Sequence, residues 1–164
     1  MILAALALAL QPGQPTGPPL QAQAMIDGFR STCVRHLDDV PALRRAILRS
    51  PLGFARAADS GRWEIYRAEN ATIRIYPGEG CSIDARLPSR TDGSRVIGDA
   101  YAALGVESPP GFVNRGGSGA LYVSRESDGA GRIGLTASMD WHRLGAPADT
   151  PVMVSLWLFR RSAP

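Results

Sequence analysis

Apolar positions along this chain follow two different periods, which separate helical segments from extended ones. Between Met25 and Leu37 the apolar side chains recur every three or four residues, as on one face of an amphipathic helix: Ile26, Phe29, Cys33 and Leu37. This spacing predicts a first helix whose apolar stripe, including Cys33, faces the core.

Capping residues and breakers mark two further helices. The second is predicted to begin after the Asp38–Asp39 pair, whose carboxylates are suited to cap it, and to end before Pro51. The third is predicted to begin at Thr91 or Asp92 and to run to Leu104.

Strict alternation of apolar and polar residues predicts strands in the rest of the chain. The clearest example is Cys81–Leu87, where Cys81, Ile83, Ala85 and Leu87 share one face. The intervening segments 52–61 and 106–119 are predicted as loops. The predicted strands are 63–67, 72–76, 81–87, 121–125, 133–139 and 152–160.

The order of these elements is helix, helix, three strands, helix, three strands. Hairpin turns join most neighbouring strands, and the alternation of strand and helix that builds a parallel sheet is missing. We therefore expect an α+β domain around an antiparallel sheet of about six strands. The two strand triplets have no evident sequence repeat, and a pseudo-symmetric arrangement remains open.

The beginning of the chain indicates export. Residues 1–10 form an uncharged apolar run of signal-peptide length, well below the roughly 20 residues of a membrane-spanning helix. Small-residue cleavage patterns follow at Ala7–Ala9 and at Ala22–Ala24, the second being slightly preferred. Residues 11–24 are rich in Gln, Pro and Gly and are predicted as a disordered spacer. An apolar tail that is retained as a loose anchor is the alternative.

Removal of residues 1–24 as signal peptide and spacer leaves residues 25–164 as a single domain, periplasmic or secreted, with no membrane span. In such a compartment an even number of cysteines favours a disulfide. Cys33 lies on the apolar face of a helix and Cys81 on the core face of a strand, so a bridge would tie the first helix to the sheet. Two reduced buried thiols are expected only if export is wrong.

Composition removes one class of partner. The chain has 164 residues with a net charge of +3, and its 18 basic residues are all arginine. The excess is too small to indicate a nucleic-acid protein, and the arginines are scattered over every predicted element. Codon bias toward arginine accounts for this pattern better than a binding patch does.

The last predicted strand is apolar on both faces, with Met153, Trp157 and Phe159 on its second face. One interpretation is a secondary core under a helix. The other is an aromatic surface suited to an amphipathic or anionic ligand. Tyr66 is also predicted to point to this side. The proposed ligand surface comprises Tyr76, Tyr122, Trp157, Arg74 and Arg86.

Residues 114–119 could form a nest of backbone N–H groups for an anion, with Arg115, Gly116 and Gly117 at its centre; a flexible connection is the alternative. Common hydrolase, nucleotide and dinucleotide motifs are absent, and the two histidines, His36 and His142, have no metal-ligand spacing. We therefore expect no cofactor and no metal.

A catalytic role for His142 or for a pair of acids remains open. Nothing in the sequence selects the pair. The candidate acids are Glu64, Glu69, Asp84, Asp99 and Asp140.

The chain resembles small exported proteins of Gram-negative bacteria, on three features: a signal peptide, an opening helix with one cysteine (Phe29 to Cys33), and a Trp-led strand followed by a second cysteine. Most of those proteins are of unknown function, and the resemblance implies export and the bridge but no catalytic residue. We expect a non-catalytic binding or interaction module of the cell envelope, with another envelope protein or a small amphipathic molecule as partner. A small envelope hydrolase is the alternative.

Overall fold

The structure is a computed structural model that describes residues 15, 17–59, 61–104, 113–114, 120–126, 133–140 and 147–160. Within these ranges the chain forms an α+β fold, as the sequence predicts. In chain order the elements are α1 (Ala22–Phe29), continuing as a π-helical turn (Arg30–Val34), α2 (Val40–Leu48), β1 (Ala55–Asp59), β2 (Glu64–Arg67), β3 (Ala71–Tyr76), β4 (Gly80–Leu87), α3 (Arg90–Ala103), β5 (Val113–Asn114), β6 (Ala120–Glu126), β7 (Ile133–Asp140) and β8 (Val152–Arg160).

The described strands form one antiparallel sheet in the order β1-β2-β3-β4-β8-β7-β6-β5. This order is symmetric about its centre. Strands β1–β4 form one meander and β5–β8 form another, and their last strands, β4 and β8, pair with each other. The pseudo-symmetry that the sequence left open is therefore present in the strand order.

All six predicted strands are confirmed as β2, β3, β4, β6, β7 and β8, and two edge strands are added. Both additions lie in segments that we predicted as loops. Strand β1 has the sequence ARAAD, which lacks an alternating apolar pattern, and its pairing with β2 shifts between Arg56 and Ala58. Strand β5 has only 2 residues, too few for a period to be seen.

The three described helices pack on one face of the sheet, which we call the inner face. Helix α1 approaches it at Gly28, beside Ile83 of β4. Helix α3 approaches it at Gly93, where an added Cβ would stand 2.6 Å from the sulfur of Met139. Glycine lowers helix propensity, but here its missing side chain allows the helix to lie directly on the sheet.

The predicted disulfide between Cys33 and Cys81 is present, and it joins positions 48 residues apart in the chain. Both cysteines are fully buried in the core. Cys33 follows α1 in the π-helical turn and Cys81 lies on the inner face of β4, so the bridge ties the helical layer to the centre of the sheet.

The ordered fold begins before residue 25, where we placed the boundary of the domain. The backbone N–H of Leu20 donates to the carbonyl of Arg86 at 2.7 Å, and Gly17 donates to Glu69 at 2.9 Å. Leu20 and Ala22 are both buried in the core. The Pro- and Gln-rich composition of this segment masks its few apolar residues, which is why it resembles a spacer.

Side-chain caps fix the starts of the later helices. Asp39 accepts a hydrogen bond from the N–H of Ala42 at the start of α2, one of the two caps that we predicted. Helix α3 begins at Arg90, slightly earlier than predicted, because Ser89 caps it by accepting from the N–H of Asp92.

Candidate functional site

The second face of the sheet, which we call the outer face, is not covered by any of the described helices. Alternation along β3, β4 and β8 directs every second side chain to it. Trp157 on this face is 40% exposed, which is unusual for so large an apolar side chain. Of our two interpretations of the apolar second side of β8, the described residues favour an open surface over a core beneath a helix.

Four aromatic rings, which we call the aromatic row, lie in succession along one end of this surface. The ring of Trp63 lies 5.9 Å from that of Tyr76, Tyr76 lies 6.0 Å from Trp157, and Trp157 lies 4.9 Å from Phe159. The planes are tilted by 39–55°, within the range in which aromatic pairs attract each other. Two strands, β3 and β8, and the residue before β2 thus contribute rings to one continuous apolar surface.

Glycines lie opposite two of these aromatic residues across the sheet. In the register of the sheet, Tyr76 lies opposite Gly80, Gly80 opposite Phe159, and Phe159 opposite Gly134. A Cβ at Gly80 would collide with the carbonyl oxygen of Leu158 and lie 3.0 Å from the Cα of Phe159, so this glycine allows β4 and β8 to approach closely. Aromatic and glycine positions therefore alternate across four strands, and the rings lie over backbone.

A polar group adjoins the aromatic row. Asp84 accepts from Arg74 through one carboxylate oxygen and from the hydroxyl of Ser155 through the other. The side chain of Asp84 is 15% exposed and that of Arg74 is 26% exposed. Asp84 thus orients the Arg74 guanidinium on the outer face, while the exposed Arg86 lies two residues further along β4.

Ser82 lies between these two groups, opposite Arg74 on β3 and opposite Trp157 on β8. The residue is 6% exposed. Its hydroxyl is the one buried side-chain oxygen or nitrogen in the described ranges that has no hydrogen-bond partner. Buried polar atoms nearly always have a partner, so this atom calls for an explanation.

Four of the five residues of the predicted ligand surface lie on β3, β4 and β8 at outer-face positions: Arg74, Tyr76, Arg86 and Trp157. The fifth, Tyr122, pairs with Ser138 of β7, and its side chain lies outside the described part. Sequence reasoning did not include Trp63 in this surface, because it assigned Tyr66 to the outer face and, by alternation along 63–67, this places Trp63 on the inner one. It did not include Ser82, whose neighbours depend on register.

Our prediction for Tyr66 is wrong. Its pairing with Ile73 places it on the inner face, where it is 2% exposed. The other inner-face residue of β2 is Glu64. We expected the inner face of this strand to be apolar, and a charged residue there did not fit that expectation. Side chains along β2 do alternate between the two faces, but we assigned the faces the wrong way round because Glu64 is charged and yet buried.

Glu64 is buried because it has strong partners on α2 and β2. The Nε of Arg44 donates to both carboxylate oxygens at 3.0 and 3.1 Å, and the hydroxyl of Tyr66 donates at 2.8 Å. The hydrogen bonds from Arg44, and then that from Tyr66, lower the pKa of Glu64, and burial opposes them. Burial, and then the bond to Glu64, raises the pKa of Tyr66. This fully paired cluster attaches α2 to the sheet.

The candidate acids do not converge where the structure describes them. Glu64 lies on the inner face and Asp84 on the outer face, each with its own cation. Asp99 pairs with Arg95 on α3. Glu69 is exposed.

Two other predicted sites lie outside the described residues. They are the anion-binding loop at Arg115, Gly116 and Gly117, and His142. Within the described ranges, no group of three or more His, Cys, Asp or Glu side chains could hold a metal ion.

None of the helices in the described ranges combines the length and the hydropathy that crossing a bilayer requires. Comparison of the chain with protein-family models, with curated proteins and with solved structures finds no match.

Proposed function

We propose that this protein is an exported, non-catalytic binding module of the cell envelope whose outer face takes up a small amphipathic ligand. The observation that carries the proposal is the aromatic row, a chain of ring contacts on the helix-free face with Trp157 40% exposed. Exposed aromatic surface of this kind is typical of binding sites.

The disulfide supports the export part of the proposal. Bridges persist in oxidising compartments and are rare in the cytosol of mesophiles. The bond between Cys33 and Cys81 lies in the core and ties two layers together, as expected for a structural bridge.

The neighbouring charges support a ligand with a polar or acidic end. On β2, β3, β4 and β8 the charged outer-face side chains are Arg67, Arg74, Arg86 and Asp84, so cations are in excess. Asp84 is paired with Arg74, and neither Arg67 nor Arg86 forms a salt bridge within the described part of the chain. An amphipathic molecule matches a surface with rings at one end and arginines at the other.

Fluorescent probes test this proposal directly on the purified, oxidised protein. Phenylnaphthylamine, a neutral diarylamine with a naphthyl and a phenyl group, should bind and gain fluorescence at a single site. Trp157→Ala should weaken its binding at least tenfold because the central ring of the row is lost. Trp157→Phe, which keeps a ring, should retain most of the affinity.

Leu48→Ala is the matched control, since Leu48 is the other large exposed apolar side chain in the described ranges, at 56%, and lies on α2. It should leave probe binding unchanged. An absence of binding to the native protein, or an equal loss in Leu48→Ala and Trp157→Ala, would overturn the proposal. Circular dichroism of each variant checks that the fold is intact.

A further inference from the structure

We propose that Ser82 and Arg74 form an oxyanion-binding subsite beside Trp157, so that the ligand of this protein is an amphipathic anion. The anionic group is a carboxylate, a sulfonate or a phosphate ester on a flat apolar body. This inference rests on the proposed function, because it names the ligand group that the same outer face receives.

The first argument is the hydroxyl of Ser82. Its Oγ is buried and has no partner among protein groups, although Ser155 on the same face donates to Asp84. A serine hydroxyl is a donor that rotates freely to suit an acceptor. A ligand oxyanion at this position would satisfy it.

The second argument is the neighbouring Arg74, which lies directly opposite Ser82 across the β3–β4 pair. A guanidinium has five N–H donors in a planar fork, and within the described part of the chain Arg74 makes one hydrogen bond, from Nη1 to Asp84. Its remaining donors are available to a second acceptor. Because Asp84 is bonded through both of its oxygens, it holds the guanidinium in place for that acceptor.

The third argument is Trp157, which lies opposite Ser82 on the other side, on β8. Trp157 contacts Tyr76 and Phe159, and it is the most exposed member of the aromatic row, the other three rings being half-buried. An anion bound by Ser82 would therefore lie beside this indole, with its apolar body against the rings. The polar and apolar parts of one ligand would be recognised at adjacent strands.

A pair of probes that differ only by an anionic group tests the subsite. Anilinonaphthalene sulfonate has the same rings as phenylnaphthylamine and adds a sulfonate. We expect the sulfonate probe to bind the native protein at least tenfold more tightly than the neutral probe, and its affinity to fall as salt is added.

Ser82→Ala should weaken binding of the sulfonate probe about tenfold, as expected when one hydrogen bond to a charged group is lost, and should leave the neutral probe unaffected. Ser82→Thr keeps the hydroxyl and should restore the preference. Ser138→Ala, a serine-to-alanine change on the same face of β7, is the matched control and should change neither probe.

Thermal stability provides a second measurement, because a structural role of the Ser82 hydroxyl predicts that Ser82→Ala lowers the unfolding temperature. Because the Ser82 hydroxyl has no partner, Ser82→Ala should unfold at the same temperature as the native protein or above it. Lower stability together with unchanged sulfonate binding would overturn the subsite and indicate a structural hydroxyl.

The two proposals fail in different ways. If neither probe binds the native protein, the proposed function is wrong. Both probes could instead bind the native protein with equal affinity, bind Trp157→Ala weakly and bind Ser82→Ala as they bind the native protein. In that case the proposed binding surface is correct and the anionic subsite is wrong.

Discussion

Gly134 on β7 lies directly beneath the ring of Phe159 on β8. The two residues are paired across the strands, and a Cβ at position 134 would stand within 2.6 Å of Cε2 and 2.9 Å of Cε1 of the ring. The ring therefore occupies the volume that any other side chain at position 134 would fill. This contact fixes one end of the aromatic row, because the ring of Phe159 also contacts that of Trp157.

Gly134→Ala should displace the Phe159 ring and lower the free energy of unfolding by about 1–3 kcal/mol, the usual effect of overpacking. Chemical denaturation measures the change. In a Phe159→Ala background the same substitution should be neutral or slightly stabilising, since glycine in a strand carries an entropic cost. An equal loss in both backgrounds would show that the backbone of β7, and not the ring, rejects a side chain at position 134.

The disulfide is expected to contribute much of the stability of this domain. The double variant Cys33→Ala/Cys81→Ala should lose about 4 kcal/mol, since the bridge closes a loop between positions 48 apart in the chain. The midpoint of guanidinium unfolding measures this loss.

The native protein provides the control for that experiment. With both cysteines fully buried, a reductant should leave the folded protein unchanged, whereas reductant added to unfolded protein should reproduce the midpoint of the double variant. A double variant that is as stable as the native protein would show that the disulfide does not contribute to holding α1 on the sheet.

The comparison of β4 with β2 explains how far the fold could be predicted from the sequence. In β4 each inward residue is apolar, so alternation alone placed Cys81 correctly and, with the helical period of Cys33, gave the disulfide. In β2 an inward position is occupied by Glu64, whose burial depends on Arg44, 20 residues earlier in the chain. Alternation along a strand cannot show such a distant partner, and for this reason we assigned Tyr66 of the same strand to the wrong face.

The candidate site divides in the same way. The alternation of β3, β4 and β8 was enough to predict Tyr76, Trp157, Arg74 and Arg86 for one surface. The register between strands that are far apart in sequence decides which of these side chains meet, and no local sequence pattern shows that register. Whether the Ser82 hydroxyl has a hydrogen-bond partner depends on every residue around it, so its lack of a partner could be found only from the structure.

Acid should weaken the attachment of α2 through Glu64. Hydrogen bonds from Arg44 and Tyr66 lower its pKa in the folded state below the ordinary 4.5 of the unfolded chain. A lowered pKa means that this stabilisation is present above about pH 4.5 and is lost as the pH falls through the folded-state value.

Glu64→Gln should therefore lower the free energy of unfolding by about 2 kcal/mol at neutral pH, the usual value of hydrogen bonds to a charged group. Denaturation at a series of pH values should show this difference narrowing below about pH 4.5. Glu79→Gln is the control, because Glu79 is exposed on a turn and forms no salt bridge within the described residues. A difference that is constant with pH would show that the ionisation of Glu64 is not involved.

The position of Leu20 predicts where an exported form of this protein is cut. Leu20 and Ala22 are buried in the core, and the N–H of Leu20 donates to a strand carbonyl at 2.7 Å. Cleavage after Ala24 would remove these contacts, at a cost of about 3 kcal/mol for one buried leucine and one backbone hydrogen bond, whereas cleavage after Ala9 would keep them. We therefore expect mass spectrometry of the protein from the envelope fraction to find the terminus that follows Ala9, although the later site has the slightly better sequence pattern. Recombinant chains that begin at each site test the reason: the shorter chain should unfold at a lower denaturant concentration, and equal midpoints would contradict the structural role of Leu20.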